Sequence, residues 1–325
     1  MVFKKLLGSL GVGGPTVDTA LQLGAAVPGG GLSGEIRLKG GNADFDVEHI
    51  TLELVARVES EHEDGEAEGA LVFERFTVAG GFTLAEGEER SVPFGVTLPW
   101  ETPVTELYGQ DLGIVLGVRT ELSVAGARDK GDLDRLTVGP LPAQEAVLEA
   151  LGQIGFGFRS ADLELGHIRG SGQRLPFYQE IELSPAPRYA DRINEIEVTF
   201  LAGPDGLEVV LEADKRGGLF SGGSDALSRF TVGHHEVQGR DWVTEVDGWI
   251  QALVEARAPH GGHGAYGHDG GHPGHHSGPG MGTAIAAGAA GVAVGVVGGM
   301  VAAEVIDEVG DFFEGDEEEE GGDEG

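Results

Sequence analysis

The sequence has no cysteine, few basic residues and few aromatic residues. The absence of cysteine from 325 residues excludes a disulfide framework, a thiol nucleophile and a cysteine-ligated zinc site, and it is consistent with a reducing cytoplasm. Only 21 Lys and Arg residues stand against 55 Asp and Glu residues, so the formal net charge is -34. Because affinity for a phosphate backbone comes chiefly from Lys and Arg, we expect no nucleic-acid partner.

The sequence also lacks the motifs of common enzymes. It contains no G-x-S-x-G, no G-x-x-x-x-G-K-[ST] and no H-E-x-x-H, which removes the nucleophile elbow, the phosphate loop and the zinc-protease helix. The Gly-x-Gly segments at 11–13 and 155–157 lack a third glycine at the spacing that dinucleotide binding needs. We therefore predict a protein that is not an enzyme and has no cofactor.

Alternating apolar and polar residues dominate the first 139 residues. A period of two is typical of strands with one buried face, whereas a helix would show a period of 3.6. Many short strands separated by Gly, Pro and charged turns predict a β-sandwich. The acidic stretch at 61–68 is expected to solvate a hairpin tip, with cation binding as the alternative. The predicted strands lie near 17–23, 32–38, 50–58, 71–78, 91–98, 113–124 and 133–138.

The same alternation returns in residues 140–258, after the prolines of Gly139-Pro140-Leu141-Pro142 end the first domain. Residues 143–151 predict a short helix at the domain junction. The run 195–200 predicts a strand with one solvent-facing side, and the turn at 202–206 pairs it with 207–213 as a hairpin. With further strands near 158–165 and 229–232, this half is predicted to be a second antiparallel β-sandwich.

Residues 241–257 instead predict an amphipathic helix, because their apolar residues recur at helical spacing. The apolar stripe includes Trp242, Val246, Trp249 and Leu253. One hypothesis is that the stripe packs on its own sandwich and closes the fold. The other is that the helix binds a partner protein by lying in a groove.

Several segments resemble the bacterial sporulation-control proteins of the SpoOM type. The resemblance covers most of residues 1–258 and implies an arrestin-like fold of two β-sandwiches. It also implies a role in controlling sporulation or cell-division timing, and it carries no catalytic residues. The segments are FKKLLGSLGVGGPTVDTAL at 3–21, VPGG at 27–30, VPFGVTLP at 92–99, RDKGDLDRLTV at 128–138, LPFYQEIEL at 175–183, EIEVTFL at 195–201 and EVVLEADKRGGLF at 208–220.

Two charged turns are candidates for a latch between the two domains. By the resemblance, the first lies near the domain junction of an arrestin-like protein, where charged residues can hold the halves together. The alternative is that both are exposed turns whose ion pairs contribute little. The six candidate residues are Asp129, Lys130, Asp132, Asp214, Lys215 and Arg216.

Residues 259–280 are mostly Gly and His, which predicts a flexible linker. They hold six of the eleven histidines of the chain. Neutral imidazoles bind Zn, Ni or Cu(II), so these histidines are candidate metal ligands of low specificity. The six are His260, His263, His268, His272, His275 and His276.

The end of the chain has two further segments. Residues 281–303 carry no charge, and Gly291, Gly295 and Gly299 form a ridge at a spacing of four that lets helices approach closely. We predict a glycine-zipper segment for self-association, with a transmembrane helix or packing onto the sandwiches as alternatives. Residues 304–325 hold 12 acidic residues and no basic ones, and they are predicted to be a disordered acidic tail.

These features predict a cytoplasmic, mainly β protein of two tandem antiparallel sandwiches, with a C-terminal amphipathic helix and a flexible tail. Its predicted function is that of a regulatory scaffold or adaptor, with other proteins as its partners. Two other functions stay open. One is a membrane-associated or self-assembling protein that uses 281–303, and the other is a carbohydrate-binding or hydrolytic β-sandwich, because a fold alone does not exclude activity.

Overall fold

The computed structural model describes residues 13–62, 65–125, 130–213 and 228–256. The predicted linker, glycine ridge and acidic tail all lie outside these ranges.

The described residues form fourteen strands, two α-helices and a short 3-10 helix at His234–Glu236. The prediction of a mainly β fold is confirmed. The strands are β1 (Thr16–Leu21), β2 (Gly31–Lys39), β3 (Phe45–His62), β4 (Gly65–Leu84), β5 (Glu89–Thr97), β6 (Glu106–Leu107), β7 (Gln110–Asp111), β8 (Leu116–Val124), β9 (Lys130–Arg135), β10 (Gly157–Leu165), β11 (Phe177–Ser184), β12 (Ile196–Ala202), β13 (Gly206–Ala213) and β14 (Ser228–Gly233), and the helices are α1 (Pro142–Ile154) and α2 (Trp242–Ala256).

The first half is built from two sheets that share one hydrophobic core. A three-stranded sheet in the order β1-β2-β5 packs against β3, β4, β8 and β9. The alternating residues Ile36, Leu52 and Leu54 are fully buried between the sheets. Burial of each such side chain contributes roughly 1.5–3 kcal/mol. Two sheets that face each other across one core form a β-sandwich.

Strands β3 and β4 form one long antiparallel hairpin of 18 and 20 residues. Its register places Glu61 opposite Glu66 and His62 opposite Gly65, at the end of the hairpin. Gly80 has a φ of +155°, and a Cβ there would lie 2.2 Å from the carbonyl oxygen of Glu48. The close approach of the two strands at Gly80 therefore requires glycine.

The second half differs from its prediction. Its strands run antiparallel in the order β14-β13-β12-β11-β10 and form one sheet, whose apolar face packs against α1 and α2. Among the described residues, two helices occupy the place that a second sheet would take in a sandwich. The alternating pattern predicted the strands and the hairpin of 196–213 correctly. It could not show whether helices or strands cover their apolar face.

Helices α1 and α2 lie where the sequence predicts helices, although α1 extends to Ile154, three residues beyond its predicted end. In α1, Pro142 takes the first turn, where its missing N–H costs nothing, and Gly155 ends the helix with a φ of 111°. The backbone N–H of Leu141 donates to Gln144 Oε1 at 2.8 Å. In α2, Asp241 precedes the helix and accepts hydrogen bonds from the N–H and hydroxyl of Thr244 at 3.1 and 2.7 Å.

The two halves are joined within one sheet. Strand β10 pairs in parallel with β3, where Glu164 lies opposite Glu59, so the sheet of the second half continues into the first. Leu163 in β10 and Phe177 in β11 are part of the second half of the chain. Their side chains nevertheless belong to the hydrophobic core of the first half. Phe73 contacts the Phe177 ring edge to face, with centroids 5.5 Å apart. The cores therefore overlap at β10 and β11.

A buried ion pair lies across the middle of the long hairpin. Glu53 is 3% exposed and stands between its cross-strand neighbours Arg75 and Arg119. Arg75 Nε donates to Glu53 Oε1 at 2.6 Å, and Arg119 Nε donates to Oε2 at 2.7 Å. The Arg119 side chain is only 13% exposed, so its charge depends on this carboxylate for compensation.

We predict that Glu53→Ala lowers the free energy of unfolding by about 3 kcal/mol, because it leaves the buried Arg119 charge without its partner. Urea denaturation measures the change. Glu35→Ala is the matched control, because Glu35 forms a solvent-exposed pair with Arg37, and we expect a loss below about 1 kcal/mol. Equal losses in the two variants would contradict the interpretation.

Candidate functional site at the junction of the two halves

The loop between β5 and β6 binds the first half to strand β11 and the segment before it. The Glu101 carboxylate accepts hydrogen bonds from the backbone N–H of Arg174 at 2.9 and 2.8 Å and of Leu175 at 2.8 Å. The backbone N–H of Val104 donates to Gln179 Oε1 at 2.9 Å, and Gln179 Nε2 donates to the Val104 carbonyl at 2.8 Å. These contacts fix the position of the loop on the second half.

An aromatic contact adds to this junction. Trp100 in the same loop stacks on the His234 ring with centroids 5.0 Å apart. His234 Nε2 lies 2.7 Å from the Gly203 carbonyl. Because a carbonyl oxygen only accepts, Nε2 is the ring nitrogen that carries the hydrogen. The histidine is thereby held as a platform for the tryptophan.

An apolar groove opens beside this junction, and we call it the junction groove. It has a volume of about 410 Å³, which lies within the range of natural ligand pockets. Its walls come from the β6–β7 hairpin, helix α1 and the start of β10 with β11. It is lined by Leu107, Tyr108, Leu112, Leu148, Glu149, Leu151, Gly152, Gln153, Phe156, Phe158, Ile181 and Leu183.

Two aromatic side chains of the groove are exposed to solvent. Five large apolar side chains are exposed among the described residues, and two of them line the groove: Tyr108 at 61% and Phe158 at 51%. They stand over buried residues such as Phe156 and Ile181. A continuous surface of this kind is typical of a binding site, whereas single scattered apolar residues are not.

Tyr108 is held in a costly backbone conformation. Its φ is 53°, and it is the one non-glycine residue with a positive φ in the described ranges. Tyr108 and Gly109 form the two-residue turn between Leu107 and Gln110. Turns of this kind favour Asn-Gly, because both residues need a positive φ. Placing tyrosine there costs about 1 kcal/mol of backbone strain.

Acidic side chains of α1 lie near this tyrosine. The pKa of Tyr108 is raised by burial first, and then by the charges of Glu145 and Glu149. These glutamates are four residues apart on α1, which places them on one face of the helix. Glu149 also accepts a hydrogen bond from Gln153 at 3.0 Å. One wall of the junction groove is therefore negative.

Apart from the junction groove, a polar surface lies on the face of the β10–β13 sheet that is opposite the helices. The strand register places Asp162 opposite Glu180. It also places Glu197 between Glu182 on one neighbouring strand and Glu212 on the other. The loop residues His167, Ile168 and Arg169 line a cavity of about 200 Å³ together with Tyr178, Glu180, Glu197 and Glu212. Like charges thus meet across neighbouring strands.

Burial and mutual repulsion alter the acidity of this surface. Burial raises the pKa of Glu180 to about 9, with smaller contributions from Glu197, Asp162, Glu164 and Glu212. The pKa of Tyr178 is raised for the same reasons. The alternation had predicted a solvent-facing side for β12, but Thr199 on this side is only 4% exposed. The prediction was wrong because β12 is an inner strand and its polar face is partly covered.

The geometry of the described residues offers no metal centre. No group of three or more His, Asp or Glu side chains within 13–62, 65–125, 130–213 and 228–256 is placed to hold an ion. The predicted histidine ligands and the ridge glycines lie beyond residue 256, outside the described ranges, and their roles stay predictions. These residues are His260, His263, His268, His272, His275, His276, Gly291, Gly295 and Gly299.

Of the latch candidates, Lys130 and Asp132 lie in the described ranges, and both are in β9. Asp132 Oδ2 accepts a hydrogen bond from the Thr19 N–H at 2.6 Å, and the Thr19 and Thr120 hydroxyls are 2.7 Å apart. This contact of Asp132 joins the two sheets of the first half. Asp129, Asp214, Lys215 and Arg216 lie outside the described residues, so the interdomain latch stays a prediction.

Next to this contact, Asp134 has an altered acidity. Its pKa is raised to about 6, chiefly by burial and then by the charges of the neighbouring Asp132 and Asp18. Its Oδ2 atom is buried and has no hydrogen-bond partner. This edge of the first sandwich therefore holds a half-buried carboxyl that binds a proton more tightly than an exposed one.

The apolar stripe of α2 packs inside the protein. Val246 and Leu253 are fully buried, and Trp249 is 9% exposed and stacks on Phe230 with centroids 4.5 Å apart. Trp242 Nε1 donates to the Val237 carbonyl at 2.9 Å. This packing matches the hypothesis that the helix closes the fold. Val246, Trp249 and Leu253 are thus covered by the protein itself, whereas Trp242 is half-buried.

The sequence did not predict the junction groove. Its residues come from three separate stretches, and alternation within any one of them gives no indication that they meet. The strongest local indication was the dipeptide Tyr108-Gly109, which forms a hairpin turn without the usual Asn. The hairpin of β6 and β7 was missed because each strand has only two residues.

The fold and the groove define a class of protein: a mainly β protein whose two halves share one sheet and which presents an apolar surface at their junction. Comparison with known proteins identifies the family. The model of the family described as "SpoOM protein" matches residues 3–217, and the chain belongs to this family.

Two relatives support the assignment. The chain is 39% identical over 215 residues to the sporulation-control protein spo0M of Bacillus subtilis strain 168, which covers 66% of this chain and 81% of that protein. The crystal structure of Spo0M, a sporulation control protein from Bacillus subtilis, matches with a TM-score of 0.64 and 32% identity, covering 75% of this chain and 99% of the other.

We predict that Glu180→Gln stabilises the protein at pH 8 but not at pH 4. As the pH rises from 4.5 towards 9, the unfolded state loses the proton that folded Glu180 retains, so the folded state loses stability. Because glutamine cannot ionise, the Glu180→Gln substitution removes this loss of stability. Thermal unfolding should show a rise in Tm of about 3 °C or more at pH 8.

The control for this prediction is Glu89→Gln. Glu89 is an exposed residue paired with Lys39, and its substitution should change Tm little at either pH. A Glu180→Gln effect that is the same at pH 4 and pH 8 would show that burial of the charge is not its cause.

Proposed function

We propose that this protein is a non-catalytic regulatory scaffold that binds another protein in the control of sporulation or cell development. Membership of the SpoOM family supports a regulatory role, because the Bacillus subtilis relative is a sporulation-control protein. The observation that carries binding as the mechanism is the junction groove, with its exposed Tyr108 and Phe158. Exposed aromatic residues over a packed floor are typical of the energetic centre of a protein interface.

The chemistry of the groove favours binding over catalysis. Catalytic sites bring together groups of matched acidity, such as a nucleophile beside a base. Most lining residues of the junction groove are apolar, and its ionisable groups are Tyr108 and Glu149. The pKa of Tyr108 is raised, which makes its phenol a weaker acid at neutral pH. Tyr108 and Glu149 are therefore better suited to binding a partner than to catalysis.

The groove also has the rigidity that a binding site needs. Its floor is formed by β10, β11 and α1, whose backbone groups are bonded within regular elements. The Glu101 and Gln179 contacts hold the adjoining loop in place. A preformed site loses less conformational entropy when a partner binds. We propose that the scaffold acts in the cytoplasm.

In the part of the chain that the structure describes, no helix has the length and apolarity to cross a membrane.

A photo-crosslinking experiment tests this function. A photoreactive phenylalanine analogue replaces Phe158 in the full chain, which is expressed in the organism that it comes from, and crosslinked products are identified by mass spectrometry. We expect a discrete adduct with one protein. The same analogue at Leu23, which is 99% exposed and outside the groove, is the control. Equal or absent crosslinking at the two positions would overturn the proposal.

A further inference from the structure

The groove also indicates the chemistry of its partner, an inference that rests on the proposed function. We propose that the junction groove binds an amphipathic helix of another protein, with an apolar face directed into the groove and Lys or Arg on its polar face. The juxtaposition that carries this proposal is two exposed aromatic rings beside Glu149 in the groove wall, with Glu145 one helical turn earlier on the same helix.

The apolar lining favours a helix over an extended segment. An extended peptide brings unpaired backbone N–H and C=O groups, and these need hydrogen-bond partners when they are buried. The groove offers few, because the polar side chains in its lining are Tyr108, Glu149 and Gln153. A helix satisfies its own backbone and presents apolar residues at i, i+3 or i+4, and i+7.

The charge of the groove wall selects a basic partner. Glu149 lines the groove, and Glu145 lies four residues earlier on the same face of α1. The charges of both glutamates also contribute to the raised pKa of Tyr108. The nearby Asp111 is paired with Arg135 at 2.5 Å. The net charge of -34 adds a long-range attraction for cations. An acidic helix, or the acidic residues 304–325 of this chain, would be repelled.

The two aromatic residues are suited to anchor such a helix. Phe158 projects from the start of β10 at 51% exposure, and Tyr108 projects from the hairpin turn at 61%. The turn fixes the backbone of Tyr108 at an unfavourable φ, which is easier to understand if the ring contributes to binding than if it serves folding alone. Aromatic anchors of this kind account for much of the affinity of an interface.

The test uses the full-length protein and labelled synthetic peptides of Leu and Lys, about 14 residues long, whose Leu residues form one helical face. Fluorescence anisotropy measures binding. A peptide of the same composition in scrambled order, and a matched Leu and Glu peptide, are the peptide controls. We expect the amphipathic Leu-Lys peptide to bind at least about tenfold more tightly than either.

Three variants should weaken binding of the Leu-Lys peptide about tenfold: Phe158→Ser, Tyr108→Asn and the double variant Glu145→Lys with Glu149→Lys. Tyr108→Asn is the sharpest, because Asn-Gly suits this turn. Its thermal stability should stay equal or rise while affinity falls, which a purely structural role for the ring would not produce.

The control variant is Glu35→Lys with Glu89→Lys. It makes the same charge change on exposed residues of β2 and β5, away from the groove, and should leave affinity within about twofold. Equal weakening by both double variants would show non-specific attraction to an acidic protein and would overturn the proposal. So would equal binding of the scrambled peptide.

Two further results would show that the groove holds something other than a partner helix, and either would overturn the proposal. One is peptide binding that appears only after residues 1–12 are removed, which would assign the groove to the chain's own amino-terminal stretch. The other is self-association, measured by light scattering, that Phe158→Ser abolishes. If Phe158 crosslinks to a protein but the Leu-Lys peptide does not bind, the proposed function stands and only the partner chemistry is wrong.

Discussion

The parallel pairing of β10 with β3 is the contact on which the rest of the structure depends. Because Glu164 lies opposite Glu59, the sheet of the second half is an extension of the first rather than a separate body. Leu163, Leu175 and Phe177 consequently pack in the core of the first sandwich. A hinge between the halves would have to break this pairing and expose those three side chains to water.

The junction groove follows from that constraint. The pairing places β10 and β11 beside the first half, and the contacts of Glu101, Val104 and Gln179 hold the loop before β6 against them. The short hairpin that carries Tyr108 then faces α1 across Phe158. Three stretches of chain that are distant in sequence thus form one apolar surface, and its acidic wall comes from helix α1. The proposed binding role is a consequence of how the halves are joined.

The sequence predicted the elements better than their assembly. Alternation at 195–213 correctly placed the β12–β13 hairpin, and helical spacing after Asp241 correctly placed α2, because both patterns are local. Local patterns do not specify what covers an apolar face, so a second sheet was predicted where α1 and α2 lie. They also do not show that Thr199 is buried, which depends on the position of β12 within the sheet.

The candidate site was harder to predict than the fold. Tyr108 occupies a turn that sequence rules reserve for Asn or Gly, so it was not recognised as a turn residue. Phe158 occupies a strand, where an aromatic residue is ordinary, and only the three-dimensional arrangement shows that it is exposed. The family resemblance named the class of protein but carried no residues of a site. The groove therefore rests on the structure.

Native-state hydrogen exchange of the full chain is the most direct test of the central claim, that the halves form one cooperative unit. Amides of β3 and of β12 would be followed as guanidinium chloride is increased below the unfolding transition. The shared sheet predicts that both sets converge on a single free energy of opening, because the second half cannot unfold without exposing the core of the first. Opening of β12 at a clearly lower free energy, with β3 still protected, would contradict it.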